Sequence, residues 1–247
     1  MLAGLQVRLK NLKCRDSSIY MPMVLGFDVY GTLVDPFGME RQLEALFGDR
    51  GGAICALWRQ KQLEYSFRRG LMRCYEDFDA CTDRALSFAA KTFKIELSEA
   101  ARRQLLTEYL NLPAFPDVLP ALETLKSSGC RLLAFSNGVE KSLRTLLGNA
   151  GVQHYLEGVV SVDDIKTFKP NPDVYDYLVS RGGRAREDTW LVSRNPFDVI
   201  GAKAAHLSAA WVKRSPEAVF DPWEFEPDIV IGDLTELAAG LKLRVNP

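Results

Sequence analysis

The run Met23-Val24-Leu25-Gly26-Phe27 constrains the fold most, because it is apolar at successive positions and stops on a carboxylate, Asp28. Strands that are apolar on both faces belong to parallel sheets covered by helices. Val29-Tyr30-Gly31-Thr32-Leu33 follow, and Gly31 breaks the strand pattern. Asp28 is therefore expected in the crevice at the carboxyl end of its strand, where open α/β sheets bind ligands.

From about Pro116 onwards, short apolar strands alternate with helical patterns. The strands are expected at 131–135, 158–162, 189–192, 209–212 and 228–231, and helices at 118–126, 141–147, 173–179 and 197–205. This alternation predicts an α/β fold with a doubly wound parallel sheet. Between 37 and 112 the strand signal disappears, and helices are expected at 39–47, 53–68, 75–93 and 98–109, the last with Ser98 as N-cap. An all-helical cap inserted after the first strand would sit over that strand's carboxyl end. The expected division is a core domain of 23–36 and 113–247, a cap of 37–112, and an N-terminal extension of 1–22. The extension carries Arg8, Lys10, Lys13 and Arg15 among leucines, without the apolar core and cleavage site of a signal peptide. It reads as loosely attached, a packed extra helix being the alternative, with Met21 or Met23 a plausible start. No internal repeat stands out.

Composition excludes several function classes. Lys and Arg (31) balance Asp and Glu (32), which favours neither nucleic acid nor an anionic membrane as partner. No apolar run approaches the ~20 residues of a membrane span. The five cysteines (14, 55, 74, 81, 130) are odd in number and form no C-x-x-C pair. They read as reduced thiols in a cytoplasmic protein. His154 and His206 have no partner at metal-ligand spacing, so no metal site is expected.

Four further segments fall at strand ends or in the cap. Ser136-Asn137-Gly138 offers small donors to the crevice, although Ser136 or Asn137 equally suits the N-cap of the next helix. Lys169-Pro170-Asn171-Pro172-Asp173-Val174-Tyr175 fixes the backbone with two prolines and suits a helix start near Pro172. A lysine held there can reach Asp28 and keep it ionised, the alternative being a solvated surface lysine like Lys166. In Ser193-Arg194-Asn195-Pro196-Phe197-Asp198, only Asp198 is acidic. It is either a helix N-terminal charge or a group that orients the lysine and a water. In Leu57-Trp58-Arg59-Gln60-Lys61-Gln62-Leu63-Glu64-Tyr65, the expected apolar face is Ile54, Leu57, Trp58 and Tyr65. Arg59 lies opposite, flanked by Cys55 and Leu63, as suits either a lid over an anionic ligand or a surface arginine.

Taken together, D-x-Y-G-T, W-R-Q-K-Q-L-E-Y, S-N-G, K-P-x-x-x-x-Y and S-x-N-x-x-D resemble the L-2-haloacid dehalogenases (type II) of the haloacid dehalogenase superfamily, over about Val24 to Leu237. The resemblance implies a Rossmann-like core with a helical cap, a homodimer, and no cofactor. Most members of that superfamily are Mg²⁺-binding phosphatases with a second aspartate two residues after the first, where this chain has Tyr30. With Asn195 also neutral, a hard divalent cation has few ligands.

By the same resemblance, Asp28 is the nucleophile, supported by Thr32, and Arg59 meets the departing halide with Asn137 and Phe78. Ser136 and the backbone at Val29 and Tyr30 hold the substrate carboxylate. Leu63, Tyr175 and Phe197 complete the substrate site, and Lys169, Ser193, Asn195 and Asp198 form the catalytic network. Phe197 departs from the tryptophan common in relatives, and Arg194 and Pro196 depart from the loop pattern. The expected reaction is hydrolytic dehalogenation of short (S)-2-haloalkanoic acids to (R)-2-hydroxy acids and halide, through an aspartyl ester. The alternatives are a Mg²⁺-dependent phosphatase and a catalytically idle binding protein on the same fold.

Overall fold

The structure is a computed structural model and describes residues 23–243. The expected extension, 1–22, with its Cys14, lies outside the described residues.

Six parallel strands make one sheet in the order β3-β2-β1-β4-β5-β6. They are β1 (Val24–Phe27), β2 (Arg131–Ser136), β3 (Gly158–Ser161), β4 (Thr189–Ser193), β5 (Ser208–Val212) and β6 (Ile229–Ile231). The order runs outward in both directions from β1, so β1 is the switch point of the sheet. Right-handed crossovers leaving it in opposite directions place helices on both faces. Val24, Leu25 and Phe27 have no exposed surface, as a strand covered on both faces requires. Gly26 lets a helix close in, since a Cβ there would lie 2.6 Å from Leu178 Cδ2.

Between β1 and β2 the described elements are helical: α1 (Glu40–Phe47), α2 (Gly51–Met72), α3 (Phe78–Thr92), α4 (Glu99–Glu108) and α5 (Val118–Ser127). Asp77 and Ser98 cap α3 and α4 by accepting from the amides of Ala80 and Ala101. The helix expected to end at 68 continues through Gly70 to Met72, and Arg73 closes it in the left-handed region at φ 52°. Its buried stripe also differs from the expected face. Ile54, Cys55, Trp58, Gln62 and Ser66 are buried, whereas Leu57 and Tyr65 are half-buried. Gln62 tolerates burial because its amide is satisfied: Nε2 donates to Thr82 Oγ1 at 2.6 Å and Oε1 accepts from Tyr109 at 3.1 Å.

The remaining helices, α6 (Glu140–Asn149), α7 (Pro172–Gly182), α8 (Pro196–Ala204) and α9 (Leu237–Gly240), follow β2, β3, β4 and β6. Prolines open α7 and α8, and Asn171 caps α7 by accepting from the Asp173 amide. Cys55, Cys74, Cys81 and Cys130 are free thiols. His154 and His206 are exposed. No helix among the described residues is long and apolar enough to cross a membrane.

Candidate active site

Strand ends converge on Asp28. Its amide continues the ladder by donating to Val192 O at 3.0 Å, after which Gly31 turns the chain at φ +92°. The amides of Thr32, Leu33 and Val34 all donate to Val29 O, wrapping 29–34 into a compact turn. Those of Val29 and Tyr30 make no hydrogen bond among the described residues. The turn brings Thr32 Oγ1 to 2.9 Å from Asp28 Oδ2. From the loop after β4, Asn195 Nδ2 donates to the same oxygen at 2.7 Å and to Tyr30 O at 3.2 Å.

The other oxygen, Oδ1, accepts from Lys169 Nζ at 3.1 Å. Lys169 is only 1% exposed, so the surface-lysine alternative fails. Its ammonium has three donors, and three acceptors take them: Asp28 Oδ1, Asp198 Oδ2 at 2.8 Å and Phe135 O at 2.9 Å. Asp198 has no exposed surface, and its Oδ1 accepts from Tyr175 Oη at 2.9 Å. Burial pushes the Asp198 carboxyl up to about 6, against the pull of the Lys169 ammonium and with repulsion from Asp28. Burial, followed by the Asp198 charge, raises Tyr175 well above the usual phenol range, so it is a neutral donor.

The strand-end serines act on backbone. Ser193, fully buried, accepts from the Asn195 amide at 3.1 Å and sets that loop. Ser136 accepts from the Gly138 amide, while Asn137 Oδ1 accepts from the Lys169 amide at 2.9 Å. Neither caps α6, whose N-cap is Val139.

From the cap, Arg59 reaches over the turn, donating through Nη1 to Gln62 Oε1 at 2.7 Å and through Nη2 to Tyr30 O at 3.4 Å. Tyr30 is 4% exposed; its ring stacks on Tyr109 at 5.5 Å and lies 5.8 Å from Phe78. Burial holds its hydroxyl protonated, well above the ordinary range. Leu63 and Arg59 line one cavity with Asn195. Phe197 packs edge-on against Phe67 of α2 at 5.0 Å.

Of the residues singled out in the sequence, Asp28, Thr32, Lys169, Asn195, Asp198 and Tyr175 form one hydrogen-bonded group, and Arg59 joins it through Tyr30 O. Tyr175, expected among the substrate contacts, has no exposed surface and its hydroxyl is committed to Asp198. The sequence does not point to Gln62 and Tyr109, which hold Arg59 and Tyr30, and Arg194, noted there only as a departure from the loop pattern, shares the Arg59 cavity. The one available signal was Gln62's place one turn after Arg59.

Comparisons with known proteins find relatives over most of the chain. The chain is 37% identical over 211 residues to (S)-2-haloacid dehalogenase 2 of Pseudomonas sp. (strain CBS-3), covering 85% of this chain and 92% of that protein. It is 37% identical over 207 residues to haloacetate dehalogenase H-2 of Moraxella sp. (strain B), covering 84% and 92%. The structure of L-2-haloacid dehalogenase from Xanthobacter autotrophicus with chloropropionic acid covalently bound superposes with a TM-score of 0.83 at 32% identity, covering 90% of this chain and 99% of that one. The family described as haloacid dehalogenase-like hydrolase matches residues 22–206, and this chain belongs to it.

Proposed function

We propose that this protein hydrolyses short (S)-2-haloalkanoic acids to (R)-2-hydroxy acids and halide. The observation that carries this reading is the environment of Asp28: a buried ammonium, a hydroxyl and an amide fix it, with no second carboxylate at Tyr30. Asp28 attacks the halogen-bearing carbon from the face opposite the halide and inverts it, and an ester forms on its carboxylate. Arg59 stabilises the charge growing on the leaving halide, with Asn137 and Phe78 beside it. The free amides of Val29 and Tyr30, with Ser136, hold the substrate carboxylate, and Leu63 and Phe197 line the apolar part of the site.

Water then adds to the ester carbonyl. Lys169, Thr32 and Asn195, which surround the two Asp28 oxygens, stabilise the oxyanion. Both Asp198 oxygens are engaged, so Asp198 acts through Lys169, and Tyr175 and Ser193 act through Asp198 and Asn195. A divalent cation fits this donor set poorly, since Tyr30 and Asn195 are neutral and the Lys169 ammonium already supplies positive charge.

We place the core domain in 23–36 and 113–243, residues 244–247 lying outside the described residues, and the cap in 37–112, in a cytoplasmic homodimer whose partner is the small halo acid. The test is halide release from (S)-2-chloropropionate with excess EDTA. Turnover that survives chelation supports the reading. Metal-dependent phosphate-ester hydrolysis without halide release selects the phosphatase, and no turnover of either selects an idle binding protein.

A further inference from the structure

The loop after β4 holds a second arginine beside Arg59. The main chain of Arg194 is pinned at both ends: its amide donates to Thr32 Oγ1 at 2.9 Å and its carbonyl accepts from Trp211 Nε1 at 2.9 Å. With the backbone fixed, the side chain lies across Gly31, where a Cβ would be 3.4 Å from Nη1, and its guanidinium sits 5.6 Å from the Phe37 ring centre. Arg59, Leu63, Arg194 and Asn195 line one cavity of about 310 Å³. Asn195, one wall of that cavity, donates to Asp28 Oδ2 at 2.7 Å.

No carboxylate pairs with Arg194 among the described residues. Arg214, which also faces it, is paired with Asp117 at 2.9 Å. Asp35, the nearest source of compensation, accepts from the Phe37 amide at 3.0 Å. Burial, followed by the like charge of Arg59, pulls the Arg194 guanidinium below its ordinary range. Two guanidinium groups thus face one cavity with no carboxylate in ion-pair contact, Asp35 and Asp28 offsetting Arg194 only from a distance. A substrate with one carboxylate and one departing halide is already served by the Val29 and Tyr30 amides, Ser136 and Arg59. Arg194 is surplus to that need.

Resting on the dehalogenase reading above, we propose that Arg194 binds a second anionic group of the substrate, and that the preferred substrates are 2-halo dicarboxylic acids. A guanidinium offers a second carboxylate a planar pair of donors, and the half-buried setting strengthens that bond. The chemical step is unchanged: Asp28 forms the ester at C2, the halide leaves, and the distal carboxylate stays bound to Arg194.

The experiment compares kcat/KM for (S)-2-chlorosuccinate and (S)-2-chloropropionate by halide release. The wild-type protein should prefer the diacid by about tenfold or more, as one charge-assisted hydrogen-bonded pair provides. Arg194→Gln should erase that preference mainly through KM, and Arg194→Lys should keep part of it. Because Arg194 is pinned by main-chain bonds, both variants retain the Thr32 and Trp211 contacts, and thermal unfolding checks that they fold. Wild-type preference for the monoacid overturns the proposal without needing a variant. So does a diacid-to-monoacid ratio that Arg194→Gln leaves unchanged, which would make Arg194 a general attractor of anions. Halide release from neither substrate overturns the dehalogenase reading itself.

Discussion

Replacing Lys169 by methionine keeps an unbranched side chain, one atom shorter, and removes its charge. At an effective dielectric of about 20, the ammonium attracts Asp198 at 2.8 Å by about 6 kcal/mol and Asp28 at 3.1 Å by about 5 kcal/mol. The ammonium's own desolvation and the mutual repulsion of the carboxylates offset most of this. What the variant cannot escape is two buried carboxylates and the Phe135 carbonyl losing a shared donor. Removing one partner from a buried ionic group costs about 3–5 kcal/mol. The cost depends on pH. Asp198 already sits at about 6, and Lys169 is the largest influence holding it down, so the variant's carboxyl rises further. A carboxyl raised by folding adds stability in full below its unfolded value, and that contribution is lost as pH rises through the folded value. Lys169→Met should therefore be closer to wild type at pH 5 than at pH 8, as measured by urea unfolding at both. Its turnover should fall by about 10²–10³ or more, the scale of losing one electrostatic stabiliser. A stability difference below about 1 kcal/mol and equal at both pH values would refute the three-way ion group.

Three further outcomes follow from the site. Arg59→Lys keeps the charge but cannot span Gln62 Oε1 and Tyr30 O as a fork, so kcat should drop by at least about tenfold; near-normal turnover would reduce Arg59 to a surface residue of the cap. A single turnover in ¹⁸O-water with enzyme in excess should label Asp28 and leave the first hydroxy acid unlabelled, whereas label in that first product would mean water attacks the substrate directly. Gly201→Ala drives a Cβ into Tyr175 Oη and to 2.7 Å from Pro170 Cβ, and should cost about 1–3 kcal/mol in thermal stability and lower turnover together. Wild-type stability in that variant would show that Tyr175 is not wedged against Asp198.

The sheet was legible because each strand is a short apolar run ended by a polar residue, a pattern that survives without tertiary information. Asp28, Ser136 and Ser193 stood out for the same reason. The polar side of the cap was not legible. Gln62 and Ser66 fall outside the expected apolar face, yet they lie on the buried stripe, where Thr82, Tyr109 and Arg59 satisfy Gln62 and Ser66 bonds the Leu63 carbonyl. Tyr175 is a substrate contact only by the resemblance, whereas in the structure its hydroxyl bonds Asp198. Arg194 looked like a loop irregularity. Its meaning depends on a cavity shared with Arg59, 135 positions earlier, which no local pattern encodes.

Tyr30 joins the turn after β1 to the helices above it. Its ring stacks on Tyr109, lies beside Phe78 and receives Arg59 over its face at 5.9 Å. An aspartate there would strip out this aromatic keystone between cap and core. Position 30 is thus tied to Tyr109 and Phe78, and a change at one of the three without the others loosens the joint between cap and core.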